Sequence, residues 1–260
     1  MCNWGQTPFA QEEVKVKSYW INSDEKNSKK FNKLEENIKT DICIIGGGLT
    51  GITTAYNLSK YKIRTVVIDK GRIGRQASGN STAKITSQHG LIYKYLIDSK
   101  GRDFASKYYR ANEEAIQNIK NIIDRENIDC DFEYQPSYVF TQSIQDVQKI
   151  KDEVNAVNSF GGKASFIEAK DININKLNSV EVVENTGEKL GINVDNIERE
   201  NINLQRDLVK ESMKNVLPIK AIAAIEFEKQ AQFNPYKYIN SLAKICSSTG
   251  VKIYENTKAV

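Results

Sequence analysis

Histidine is almost absent from this 260-residue chain. His89 is the only one, so any chemistry that needs an imidazole has a single candidate. Cysteine is scarce and dispersed: Cys2, Cys43, Cys130 and Cys246 form no C-x-x-C or C-x-H pair, which argues against a metal site, a redox dithiol or an iron–sulfur cluster, and no metal is expected. Cys43, inside a short apolar run, reads as a small buried residue. No apolar run approaches the roughly 18 residues that span a bilayer, and the N-terminus lacks the basic-then-apolar pattern of a signal peptide. A cytoplasmic protein without a membrane partner is therefore expected. Charge of one sign is also lacking: 37 basic and 33 acidic residues leave +4, with lysines scattered among carboxylates, so no nucleic-acid partner is expected. Hydrophobic residues at 40% and charged residues at 27% are ordinary for a globular chain, and the length suits one large or two interleaved domains.

The segment from Asp41 to Asp69 is far more specific. Asp41-Ile42-Cys43-Ile44-Ile45 reads as a strand, and Gly46, Gly48 and Gly51 follow at G-x-G-x-x-G spacing. Leu49, Ile52, Ala55, Tyr56 and Leu58 then recur at helical spacing, and Thr65-Val66-Val67-Ile68 makes a second strand ending at Asp69. This is a complete βαβ unit of the dinucleotide-binding kind. Gly46 suits a tight exit from the strand, Gly48 a close approach of pyrophosphate to backbone, and Gly51 close helix-to-strand packing. The free N–H groups and positive dipole end of the helix suit phosphates. Asp69, near the roughly 20-residue offset of the fingerprint, suits a ribose.

Residues 1–40 are polar and lysine-rich apart from Tyr19-Trp20-Ile21, Phe31 and Leu34, which predicts an extended arm with a few apolar anchors. The glycine- and hydroxyl-rich stretch from Lys70 to Ala83 is too long for an ordinary turn, and such loops are usually functional. A long helix is predicted over Asp103 to Glu126, and strands at Phe132 to Tyr134 and Tyr138 to Thr141 with Gln135-Pro136-Ser137 between them. An amphipathic helix over Gln145 to Asn158 ends at Gly161-Gly162. Residues 168–217 suit short strands, small helices and loops. Ala221 to Phe227 reads as a strand, Pro235 opens a helix ending at Gly250, and Val251 to Tyr254 returns as a strand. The chain stops about one strand after this return, so a C-terminal truncation is expected.

With these residues in view, the chain resembles the FAD-dependent oxidoreductases of the D-amino-acid oxidase and glycine oxidase superfamily. The likeness is greatest to the bacterial branch joined to a C-terminal Rieske iron–sulfur domain. It rests on Ser18-Tyr19-Trp20, the strand and loop from Asp41 to Gly51, Asp69, the run Thr82 to Tyr93, and Gln232 to Tyr238. The resemblance implies an α/β fold, with a Rossmann-like FAD-binding βαβ domain and an interleaved α+β substrate domain. The expected divisions are an arm at 1–37, FAD-binding segments at 38–127 and 234–260, and a substrate-domain segment at 128–233. It further implies that Gly46, Gly47, Gly48, Leu49, Thr50 and Gly51 hold the FAD pyrophosphate and Asp69 the adenosine ribose, with the adjoining Lys70 among the cofactor-binding residues. Ser78, Thr82, Ala83 and Lys84 match the loop that in relatives passes beside the diphosphate towards the flavin, and Ala259 matches a residue whose backbone meets the adenine. Asp69 stands where the family more often has Glu, and an acid there does not choose between FAD and NAD.

The implied activity is oxidation of a small amine or amino acid by hydride transfer to flavin, with a Rieske domain as an electron acceptor. An NAD(P)-dependent dehydrogenase or reductase and a non-catalytic dinucleotide-binding fragment are the alternatives. His89 suits either a general base or a residue that orders its loop. Lys84 suits either electrostatic support of reduced flavin or a solvated loop position. Tyr93, Tyr95, Tyr108 and Tyr109 read as packing residues with a polar tip.

Overall fold

The computed structural model describes residues 18–168, 180–182 and 221–260. The reading of residues 168–217 as short elements and loops falls almost wholly outside these, as do residues 1–17. The described residues belong to two compact units, one comprising residues up to Thr82 with Asn234–Val260, the other Ala83–Phe233. Among them no helix is long and apolar enough to cross a membrane.

The first unit is built on three parallel strands, numbered along the chain: β1 (Ile42–Ile45), β2 (Thr65–Ile68) and β8 (Lys252–Tyr254). Their order is β1-β2-β8, with Ile42 opposite Thr65 and Val66 opposite Lys252. The middle strand is buried along its whole length, as a continuous Thr-Val-Val-Ile run demands. Helix α2 (Leu49–Ser59) turns Ile52, Ala55 and Tyr56 inwards and meets α6 (Pro235–Ser248), whose Cys246 thiol lies 3.9 Å from the Ile52 carbonyl. Helix α6 starts where it does because Asn234 caps it. Its side-chain oxygen accepts the Tyr236 and Lys237 N–H groups, both at 3.1 Å, and Pro235 has no N–H to leave unsatisfied.

Cys43 is exposed, contrary to the buried position expected. The reason lies in strand order. Among the described residues β1 is an edge strand, and its residues alternate, so Ile44 approaches α2 beside Gly51 while Cys43 and Ile45 take the opposite face. The predicted extended arm contains a short helix, α1 (Tyr19–Asp24), of which Ile21 is the buried member.

The second unit carries a five-stranded sheet of β3 (Lys84–Ile85), β4 (Glu133–Thr141), β5 (Ser165–Glu168), β6 (Val180–Val182) and β7 (Ala223–Gln232). The path runs β3-β7-β4-β6, with β5 also pairing β7. Helices α3 (Tyr93–Lys100), α4 (Arg102–Glu126) and α5 (Val147–Ser159) belong to this unit, and Tyr93, Leu96, Ala105, Ile150, Val154 and Val157 join Val139, Ile225 and Phe227 in one core. Residues 83–127, grouped by sequence with the first domain, therefore pack in the second unit. Gln135-Pro136-Ser137 does not separate two strands. β4 is continuous and shifts register between Gln135 and Ser137, a bulge that accommodates a proline with no N–H to give the ladder.

Candidate functional site

In a parallel sheet, ligands collect beyond the carboxyl ends of the strands. At that end of the first unit, β1 leaves through Gly46, whose φ of +103° favours glycine, and whose N–H donates to the Ile68 carbonyl at 2.8 Å. α2 starts so close to this exit that a Cβ on Gly51 would lie 1.9 Å from the Gly46 carbonyl oxygen. Gly47 donates to Asp69 Oδ2 at 2.7 Å, and its carbonyl accepts the Gly74 N–H at 3.0 Å. A Cβ on Gly48 would come within 2.8 Å of Ser78 Oγ, so the neighbour that crowds this glycine is the following loop.

The opening turn of α2 is partly capped. The Leu49 N–H donates to Ser78 Oγ at 3.0 Å, and the first intrahelical bond runs from Ile52 N–H to the Gly48 carbonyl. Thr50 and Gly51 have no side-chain acceptor among the described residues, which leaves two amides at the positive end of the helix for an anion. The Ser78 hydroxyl proton is likewise not donated to any described residue. Together these groups fit a diphosphate.

Asp69 is buried, and each of its oxygens accepts one backbone N–H: Oδ2 that of Gly47, Oδ1 that of Gly71 at 2.8 Å. A carboxylate has about four acceptor sites, so two remain for ribose hydroxyls. Its backbone joins β8's continuation, donating to Tyr254 and accepting from Thr257 at 2.8 Å. Ala259, exposed, follows two residues later, and Lys70 and Thr82 are exposed as well. Glycine loop, Asp69 and Ser78 are thus brought into one constellation, while Lys70 and Thr82 form no hydrogen bond with it among the described residues.

Glu255 went unnoticed in the sequence. It is buried directly after β8, as Asp69 is after β2, and accepts Ile73 N–H at 2.9 Å and Phe31 N–H at 3.1 Å, with Arg72 Nε at 3.7 Å. A lone acid closing an apolar strand at the ligand end of the sheet was the available signal.

Ala83, Lys84 and His89 belong to the second unit. Ala83 has φ +63°, an uncommon conformation for a residue with a Cβ, and is buried. Lys84 is half-buried in β3, opposite Gln232. His89 is exposed, with Nδ1 2.9 Å from the Tyr108 hydroxyl. The backbone beside it is firmly held: Ser87 N–H donates to Gln230 Oε1 at 2.6 Å, Tyr93 Oη donates to the Ser87 carbonyl at 2.5 Å, and Ser137 Oγ donates to Gln88 Oε1 at 2.6 Å. The buried Glu153 carboxylate accepts Tyr93 and Lys94 N–H groups, both at 2.7 Å, and so caps α3 from α5. Burial raises its pKa above the ordinary 4.5, against the lowering effect of the amides of Lys94, Tyr93 and Ile92. Burial also pushes the Tyr93 hydroxyl upwards, with Tyr108, Tyr109, Glu113 and Glu153 adding to it. Tyr93 and Tyr109 pack with Phe160 and Phe227, and Tyr108 packs against Tyr93, whereas Tyr95 is 64% exposed.

Comparison with known proteins agrees with this geometry. YhfW of Bacillus subtilis (strain 168), whose name describes a Rieske 2Fe-2S iron-sulfur protein, is 33% identical over 252 residues, covering 97% of this chain and 40% of YhfW. Gamma-glutamylputrescine oxidoreductase of Escherichia coli (strain K12) is 33% identical over 110 residues, covering 42% of this chain and 25% of that protein. The chain thus spans less than half the length of these relatives. Glycine oxidase from Bacillus cereus shares the fold at a TM-score of 0.51 and 15% identity, over 84% of this chain and 46% of that structure. The family model described as FAD dependent oxidoreductase matches residues 41–260, from the first strand through the glycine loop to the last residue, and the chain belongs to that family.

Proposed function

We propose that this chain binds the ADP half of FAD on its first unit and serves an oxidation of a small amine or amino acid. The observation that carries the reading is the opening turn of α2. Thr50 and Gly51 keep amides without side-chain acceptors there, beside a buried Asp69 carboxylate and a hydroxyl proton on Ser78. Those groups suit pyrophosphate and ribose, and Lys70, Thr82 and Ala259 stand at the margins of the same loops as further contacts.

When bound, FAD supplies acceptance of a hydride from the carbon bearing the substrate nitrogen. The chain's own residues bind and orient. The amides of Thr50 and Gly51 hold negative charge, Asp69 accepts from the ribose, and Ser78 donates to a phosphate oxygen. Ala83 and Lys84 are assigned to the flavin side, with the Lys84 ammonium favouring negative charge on that ring system. The bond from His89 to Tyr108 favours an ordering role over a general base, and a neutral amine needs no base to give up hydride. The likeness to YhfW favours a Rieske-type cluster as electron acceptor.

The test is denaturing release of the bound cofactor from the purified chain, followed by mass spectrometry. A yellow preparation that releases FAD supports the reading. Release of NAD(P), or a folded chain that takes up no added FAD, rejects it.

A further inference from the structure

The loop from Gly71 to Thr82 carries Ser78 within a short 3-10 helix, Ala77–Asn80. Within the loop, Asn80 Nδ2 donates to the Gln76 carbonyl at 2.8 Å and to that of Arg75 at 3.3 Å, and Gly74 is tied to Gly47. The start of the loop is tied to the end of β8, with Ile73 N–H donating to Glu255 Oε1 and the Gly71 carbonyl accepting Asn256 N–H, both at 2.9 Å, and the further ties on either side of Ser78 come from residues 18–34. Ser18 Oγ donates to the Gly79 carbonyl at 2.5 Å, and Trp20 Nε1 to that of Ser81 at 2.9 Å. Ile21 packs against Gly79, where an added Cβ would lie 3.0 Å from Ile21 Cδ1 and 2.1 Å from the Gly74 carbonyl oxygen. Arg75 pairs with Glu25 at 2.7 Å and donates to the Tyr236 hydroxyl at 3.3 Å.

The same segment is anchored at its other end. Phe31 N–H donates to Glu255 Oε2, the Asn32 carbonyl accepts Glu255 N–H at 3.1 Å, and Leu34 N–H donates to Thr257 Oγ1 at 3.0 Å. Ser78 therefore sits between Arg75 on one side and Gly79 with Ser81 on the other, all three gripped by one strap that is itself fixed to the end of β8.

We infer that residues 18–34 position Ser78 for the nucleotide. This rests on the proposed FAD site. Because Ser78 Oγ accepts from Leu49, its own proton remains for an acceptor, and the hydroxyl presents that proton at the helix start only while the loop is held in place. Ser18, Trp20, Glu25 and Arg75 are thereby positioning residues that need not touch the cofactor. Exposed pairs and single hydrogen bonds stabilise a fold little, but several bonds converging on one short loop restrict it strongly.

The experiment compares the full wild-type chain with S18A/W20F, E25K, R75E and the swapped pair E25K/R75E. Amide exchange is followed by mass spectrometry without cofactor, and FAD affinity by titration. In S18A/W20F and in each single charge reversal, exchange over residues 71–82 should rise about tenfold and the FAD dissociation constant about tenfold, the equivalent of one lost interaction. The swapped pair should return both to within about threefold of wild type, as a restored ion pair predicts. Unchanged exchange overturns the fastening. Faster exchange with unchanged FAD affinity overturns the positioning role. A wild-type chain that binds no FAD rejects the cofactor reading and the positioning role with it, while the exchange data still decide whether the strap fastens the loop.

Discussion

Replacing Asp69 is the most informative single perturbation, because its carboxylate joins two loops and serves the proposed ribose contact. In Asp69→Ala the N–H groups of Gly47 and Gly71 lose acceptors at 2.7 and 2.8 Å. Hydrogen bonds to a charged group contribute about 1.5–3 kcal/mol each, and Gly71 is accessible enough for water to replace part of its loss, so the expected cost is about 2–5 kcal/mol. Asp69→Asn retains one acceptor oxygen and sets an NH2 group against the other donor, which predicts a smaller loss of about 1–3 kcal/mol. Urea unfolding of the cofactor-free chain, followed by circular dichroism, should therefore rank wild type above Asn above Ala. FAD affinity should fall in the same order. A D69A chain within about 0.5 kcal/mol of wild type, the range of an indifferent surface change, would refute the tie between the loops.

Gly51→Ala should destabilise by about 1–3 kcal/mol and weaken FAD binding, because its Cβ would meet the Gly46 backbone at 1.9 Å, and unchanged unfolding would contradict that crowding. Asn234→Ala removes the acceptor for two N–H groups of α6 and should cost about 1 kcal/mol, read as a lower urea midpoint; an unaltered midpoint would show that the cap contributes nothing. Glu153 has a folded-state pKa raised above 4.5, so protonation favours the folded chain. Its contribution should be fullest below about pH 4.5 and decline as pH rises through the folded value, whereas Glu153→Gln should lack that segment. A wild-type-minus-variant stability difference flat from acid to neutral pH, or rising with it, would reverse the assignment.

The nucleotide unit was legible because every cue in it is local. A short apolar strand, three glycines at fixed spacing, a helical stripe and an acid lie within Asp41 to Asp69, and β2 and β8 pair in parallel beside them. What escaped depends on residues distant in the chain. Cys43 looked buried because its run is apolar, but exposure follows from β1 lying at a sheet edge, which strand order decides. Pro136 reads as an interruption between two strands, yet pairing with β7 carries β4 across it with a shift of register. Helix α3 carries no strong local signal: it is eight residues long, and its cap is the Glu153 carboxylate on another helix. Residues 83–127 followed the first domain in sequence but share the core of Val139, Ile225 and Phe227. At the site itself, the glycines and Asp69 could be read from spacing, whereas the buried role of Glu255 emerges only when Phe31 and Ile73 converge on it.

Amide chemical shifts of the chain titrated with ADP test the central claim most directly, since ADP carries the diphosphate and ribose without the flavin. The account predicts saturable shifts confined to Gly46 through Gly51, Asp69 through Gly71, Ser78 and the segment after Glu255, and their loss in D69A. Saturable shifts centred elsewhere, or none at all from a folded chain, would contradict it.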